Sequence, residues 1–154
     1  MRLAPWLLLC TLPLLWLPGC SAGDAPQPAQ LLAPTPTHAD FGHLRVRYNA
    51  LPTLAMNAAV ARRYGVNRDA GQALLVVALR EVQQGEELPL GGEISATATD
   101  LSGRRQTITL RPVTTGAYVD QVGTVRTGVH DSVRFQLKLQ TSAGNGIVEF
   151  ERNF

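Results

Sequence analysis

The chain has 154 residues, with 14 Lys and Arg against 12 Asp and Glu, for a formal charge of +2. That length holds one domain with extensions. Such a near-neutral balance gives no long-range field for nucleic acid, so a nucleic-acid partner is not expected.

The first nineteen residues differ from the rest. Arg2 is the only charge before Asp24, and Leu3 to Leu17 is almost wholly apolar. A positive start followed by an apolar run is the layout of a secretory signal. The competing reading is a retained membrane helix. The run is short of the roughly 20 residues that span a bilayer, and Pro13 interrupts it. The run ends in Leu17-Pro18-Gly19-Cys20, which resembles the lipobox of bacterial lipoproteins, although Pro18 stands where a small residue is usual. The resemblance implies cleavage before Cys20, lipid on its thiol, and attachment to a membrane. Ser21 in place of Asp resembles the outer-membrane class. Ordinary signal cleavage, with Cys20 incidental, is the alternative. Several acyl chains hold firmly where one does not.

Cys10 and Cys20 are the only cysteines. With the signal removed and Cys20 lipidated, neither a disulfide nor a thiolate metal site is expected. Removal of the signal takes Arg2 away and lowers the formal charge from +2 to +1.

Residues 20–39 follow as the lipidated cysteine and a linker. Pro26, Pro28, Pro34 and Pro36 stand among small and polar residues, which predicts an extended tether. At roughly 3.1 Å per residue it could reach about 60 Å. His38 lies in this stretch and is expected to be solvated.

Residues 40–154 read as one mainly β domain. In 43–48, Leu44, Val46 and Tyr48 alternate with Arg45 and Arg47, the period of a half-buried strand. A short helix is expected next. Asn57 caps it, Gly65 closes it, and Val60 and Tyr64, four apart, share its inner face. The run 73–82 is apolar on both faces and predicts a central strand. The carboxylates Glu86, Glu87 and Glu93 could serve acid–base chemistry or a hard cation. A solvated turn is the preferred reading.

The stretches 93–100 and 105–113 alternate and are joined by the turn Asp100 to Gly103, so they predict a hairpin. Residues 116–126 predict a weaker strand with a bulge near Gly123. Residues 131–141 alternate most clearly: Val133, Phe135, Leu137 and Leu139 oppose Arg134, Gln136, Lys138 and Gln140. The turn 142–146 then joins this strand to 146–154 in a second hairpin. About seven short strands suggest a two-sheet antiparallel β-sandwich, immunoglobulin-like in general architecture, with one short helix after the first strand.

Catalytic patterns are not found in this sequence. There is no G-x-S-x-G, no H-E-x-x-H and no phosphate-binding glycine loop. His130, Asp131 and Ser132 supply the residue types of a hydrolase triad, but neighbours in one turn cannot converge in triad geometry. No catalytic residue, metal ligand or cofactor is expected. Arg62, Arg63 and Arg68 gather around the helix and could meet an anionic partner, but a solvated face is the preferred reading.

Tyr48-Asn49-Ala50-Leu51-Pro52-Thr53 and then Ala61, Tyr64, Gly65, Val66 and Arg68 resemble a family of small Gram-negative envelope proteins known as domain of unknown function 4426. The turn Asp100 to Gly103, and Phe150 and Phe154 four apart, extend the resemblance across the domain. Asp69 departs from the Ser usual there, and 112–130 matches less well. The family has no established activity. The resemblance therefore implies an envelope location and a β-rich domain, not a reaction. The matched Asn, Pro and Gly suit turns for physical reasons. If they also form a binding site, it would lie where Tyr48, Asn49, Pro52, Tyr64 and Arg68 converge. Together these features suggest a lipid-anchored periplasmic domain, non-enzymatic, which binds another envelope protein. The alternative is a small-ligand-binding periplasmic domain.

Overall fold

A computed structural model describes residues 36–154. The expected signal at 1–19, Cys20 and most of the linker 20–39 lie outside the described residues. The first strand, β1 (His38–Phe41), begins two residues before the expected domain start at Asp40. Then follow β2 (Leu44–Pro52), a 3-10 turn (Thr53–Ala55), α1 (Ala58–Arg63), β3 (Gln72–Gln83) and β4 (Glu86–Pro89). The remainder is β5 (Gly92–Thr99), β6 (Arg105–Ile108), β7 (Arg111–Thr115), β8 (Tyr118–Arg126), β9 (Ser132–Thr141) and β10 (Gly144–Asn153).

The strands form a two-sheet antiparallel sandwich. One sheet runs β1-β2-β3-β8-β7, with β4 also paired to β3; the other runs β10-β9-β5-β6. All strand pairs are antiparallel. Alternation decides which side chains meet between the sheets. Leu44, Val46, Tyr48 and Ala50 of β2 point inward, as do Val133, Phe135, Leu137 and Leu139 of β9. Phe135 is fully buried and stacks on Phe150 with ring centroids 4.9 Å apart. Phe150 in turn stacks on Tyr48 at 4.6 Å.

β3 is the central strand its double-sided apolar run predicts. Ala73, Leu75, Val77 and Leu79 enter the inter-sheet core. Leu74 faces the other way, into a separate cluster with Met56, Ala61, Val113 and Val122. The helical segment covers that cluster. Asn57 caps α1 as expected, its side-chain oxygen accepting from the Ala59 N–H at 2.8 Å. Gly65 closes the turn at φ +58°, a region that favours glycine.

Several local expectations are corrected. The helix lies after the second strand, because β1 precedes β2. Its inner face carries Ala61, whereas Val60 is exposed; the small alanine lets a helix of six residues lie close to the sheet. Glu86 and Glu87 belong to β4, not to a solvated turn. Gln84 and Gly85 join β3 to β4 with both residues at positive φ, the geometry that matches the twist of a two-residue hairpin. The stretch 105–113 is two strands, β6 in one sheet and β7 in the other. Gly123 makes no bulge, since β8 pairs with β3 in unbroken register from Arg126 to Asp120. A Cβ on Gly123 would lie 2.6 Å from Ile108 Cγ2 and 2.7 Å from the Thr109 carbonyl. The absence of a side chain there lets the chain cross between sheets. Gln106 stitches the same side closed, its amide bonding both backbone polar groups of Arg126 at 2.9 and 3.2 Å.

Candidate functional site

The five residues expected to converge are divided between the two faces of β2 and the helical segment. Tyr48 points into the inter-sheet core, buried against Phe150. Asn49, its neighbour on β2, faces the opposite side and is exposed. Pro52 ends β2 and leads into the 3-10 turn. Tyr64 ends α1, partly buried against the outer cluster. Arg68 donates to the Leu54 carbonyl at 2.8 Å and so ties the loop after the helix to the turn before it. Among the described residues no hydrogen bond joins any two of the five. They stand in different places: the inter-sheet core, the outer face of β2, the end of that strand, the end of the helix and the loop after it.

In the polar turn at 128–132 the Asp and Ser side chains are bonded elsewhere than to the His. Asp131 accepts from the backbone N–H groups of Gly128 at 3.2 Å and Leu101 at 3.4 Å. Ser132 donates to Glu151. Neither group is directed at His130, which adopts φ +56°. The buried Asp100 accepts from the Ser102 hydroxyl at 2.6 Å and from the Ser102 and Arg104 N–H groups. The Ser102 hydrogen bond, with the Arg104 contacts, holds its carboxyl below the usual range. These acceptors shape the β5–β6 hairpin turn.

The outer face of the six-stranded sheet divides in two. The helical segment covers one half. The other half carries charge in compensating pairs. Glu87 on β4 reaches across β3 to Arg47 at 2.5 Å and Arg45 at 3.0 Å. Arg45 also pairs with Asp40 of β1 at 2.7 Å. Those hydrogen bonds, the one from Arg47 foremost, push the Glu87 carboxyl down to about 2. The Arg45 hydrogen bond likewise lowers Asp40. Nearby, Arg80 pairs with Asp120 at 3.1 Å and lies over the Tyr118 ring at 4.4 Å. The pairs fasten β1 and β4 to the sheet, so their charges already have partners. A foreign anion or cation would have to displace one of them.

An apolar cleft of about 220 Å³ opens where β4 leaves β3, lined by Leu79, Pro89, Leu90, Gly92, Val119 and Gln121. It is smaller than the roughly 300 Å³ at which ligand pockets begin, and it contains none of Tyr48, Tyr64 and Arg68.

The sheet edges differ in how much backbone they leave open. β1 and β6 have four residues each, and β7 contains Pro112. A short edge or an edge proline limits pairing with another strand. β10 is ten residues long, has no proline, and pairs on one side only, with β9. Phe41 of β1 packs over the start of β10, against Gly144 and Gly146. From Ile147 to Asn153 the free side of β10 has no strand beside it among the described residues. Ile147 is 57% exposed on the outer face, in line with Glu149 and Glu151. The sequence marks this strand only by its core-facing Val148 and Phe150. Its edge position follows from the strand order alone.

A family model described as domain of unknown function, DUF4426, matches residues 38–154. The chain belongs to the DUF4426 family. Its match begins at the first residue of β1 and runs through β10 and Phe154, so the β-sandwich is the family domain. No curated protein matches the chain. Among solved structures, it is similar to a DUF4426 family protein from Pseudomonas aeruginosa PAO1. The identity is 20%, the TM-score 0.63, and the match covers 76% of this chain and 92% of that one. It is also similar to FetP of uropathogenic Escherichia coli strain F11, at 14% identity and TM-score 0.53, over 79% of this chain and 95% of that one. A copper-bound variant of FetP matches at the same identity and TM-score, over 76% and 93%. At these identities the likeness is one of fold.

Proposed function

We propose that this DUF4426 protein is a lipid-tethered domain of the bacterial envelope that binds a partner protein by strand addition at β10. The open edge of β10 from Ile147 to Asn153 carries the reading. Main-chain hydrogen bonds to an added strand supply affinity, and alternate side chains supply selectivity. Glu149 and Glu151 on the outer face favour a partner strand with basic residues and disfavour a second β10, which would set like charges opposite each other. Arg152 points to the core side, its guanidinium 5.1 Å from the Phe150 ring. A charge placed there guards an edge against indiscriminate pairing.

The location rests on the signal-like residues 1–19 and on Cys20 as the lipidated residue. FetP, which was expressed in the periplasm, supports a periplasmic setting, and Ser21 supports attachment to the outer membrane. The domain acts without catalysis and without nucleic acid in this reading. Small-ligand binding draws its support from the copper-bound FetP variant. Among the described residues, no three His, Cys, Asp or Glu side chains are grouped to hold a metal ion, the cleft beside β4 is small, and the larger hollows beside Ile147 and Ser142 lie wide open to solvent. The strand edge is therefore the stronger basis.

The test is photo-crosslinking in living cells. A crosslinking amino acid at Ile147 is expected to capture a defined protein, and the same group at Ser95, on the central strand β5, is not. Equal capture at both positions would refute the edge reading. Cys20→Ala tests the tether separately, because the variant should leave the membrane fraction as unlipidated protein.

A further inference from the structure

The end of the sandwich that carries α1 gathers exposed apolar side chains. Val129 is 82% exposed and Leu101 73%, both on loops, and Leu54 and Val60 on the helical segment are 47% and 41% exposed. Hydrogen bonds join these segments into one surface. The Thr53 hydroxyl bonds the backbone of Asp69 at 2.8 and 2.9 Å. The Thr127 N–H donates to the Gly71 carbonyl at 3.0 Å. Asp131 accepts from both Gly128 and Leu101. The turns at 54, 101 and 129 thus belong to one end of the domain.

The same end is basic. Arg62, Arg63 and Arg68 are exposed, and none forms a salt bridge among the described residues. Of the carboxylates nearby, Asp100 is ion-paired with Arg104, while Asp69 and Asp131 keep their charge and accept from backbone N–H groups, so the three arginines outnumber two uncompensated carboxylates. His38 lies opposite Arg47, and the Thr37 carbonyl accepts from the Tyr48 N–H at 2.9 Å. The described start of the chain thus lies along β2, with residue 37 nearer than residue 41 to the helical end.

We propose that this end docks on an anionic phospholipid surface, its apolar turns entering the headgroup layer and its three arginines meeting lipid phosphates. Apolar area combined with cationic side chains is what binds a protein to a charged interface. The inference rests on the tether reading for proximity. A lipid on Cys20 would hold the domain near the bilayer at high effective concentration, so a weak surface contact suffices. Docking by the helical end would leave the edge of β10 free for a partner.

The test uses the full chain, purified from membranes and reconstituted into vesicles of phosphatidylcholine with or without phosphatidylglycerol. An environment-sensitive fluorescent amino acid is placed at Val129, or at the exposed Ser142 in the β9–β10 turn at the other end. Flotation with vesicles reads the anchor, and the fluorophore reads docking. Docking predicts a blue shift at 129 and none at 142, only with phosphatidylglycerol, and reversed by high salt. The double variant Arg62→Gln, Arg63→Gln should weaken docking by roughly thirtyfold, from about 1 kcal/mol for each of two arginines near an anionic surface. Equal shifts at both positions, or no dependence on phosphatidylglycerol, overturn the proposal. If the chain does not float, the anchor reading fails. Excess vesicles then still produce the shift at 129 if docking is real, and its absence refutes docking on its own account.

Discussion

The two faces of the six-stranded sheet solve burial differently. The inner face meets a second sheet, and long alternating strands supply Tyr48, Phe135 and Phe150 as a continuous aromatic stack. The outer face is covered on one half by a 3-10 turn and a six-residue helix over Met56, Ala61, Leu74, Val113 and Val122. β3 serves both, with Leu75 in one core and its neighbour Leu74 in the other. A helix that short does not stand alone in water. The inner core is therefore expected to carry most of the stability, and the outer cluster to hold the helical cover on β3, β7 and β8. This difference locates the segment best able to move without loss of the sandwich, and it is the segment that forms the basic, apolar end.

The largest effect should come from the inner core. Phe135→Ala removes a fully buried ring and is expected to cost about 3–5 kcal/mol. Denaturant unfolding measures it. A near-neutral result would mean that the two faces do not differ in the way described. Leu74→Ala, in the outer cluster, should cost about 2–3 kcal/mol, toward the low end for leucine because the cover can settle into the space. Hydrogen exchange sharpens the contrast. Leu74→Ala should speed exchange in α1 while β9 keeps its protection, since local openings need not involve the whole fold. Equal acceleration in both would show a single cooperative unit.

The inner core is the part of the molecule that the sequence displays. Alternation in 44–50, 133–139 and 148–150 states which side chains point inward, because the strand period is two and one face is dry. The apolar run of β3 states that it is central. Asn57 and Gly65 state the ends of the helix. The remainder depends on relations between distant residues. β4 looks like a polar loop until Arg45 and Arg47, about forty positions earlier, supply the partners of Glu87. The break between β6 and β7 follows from Gly123, whose lack of a side chain matters only where Ile108 and Thr109 pass over it. Tyr48 and Tyr64 look alike in the sequence, yet strand parity sends one into the inner core and helix phase sends the other to the outer cluster. The candidate surfaces were the least visible. An edge exists only once strand order is known, and the turns at Leu54, Leu101 and Val129 come together only through tertiary hydrogen bonds.

Asn57→Ala tests the cover by a smaller step. Loss of the cap leaves the Ala59 N–H without its side-chain acceptor and should cost about 1 kcal/mol. The loss should register as faster exchange in 58–63, with inter-sheet strands unchanged. A comparable change in β9 would contradict the separation of the two clusters.

The smallest effect belongs to the charged half of the outer face, and its sign follows from Glu87. Its ordinary carboxyl value is near 4.5 and its folded value about 2, held down mainly by the Arg47 hydrogen bond. A lowered folded value contributes stability that is present above the unfolded value and is lost as pH falls through the folded one. The window therefore runs from about 4.5 down to about 2. Because Glu87 and Arg47 are partly solvated, the contribution should stay below about 1 kcal/mol. Glu87→Gln should flatten that part of the stability–pH curve and loosen β4, while the wild-type chain declines through it. The aromatic stack contains no carboxylate, so acid should release β1 and β4 from the sheet's outer rim before it reaches the core. Denaturant midpoints across the window, followed with exchange in β4 and β9, distinguish this order from a single collapse.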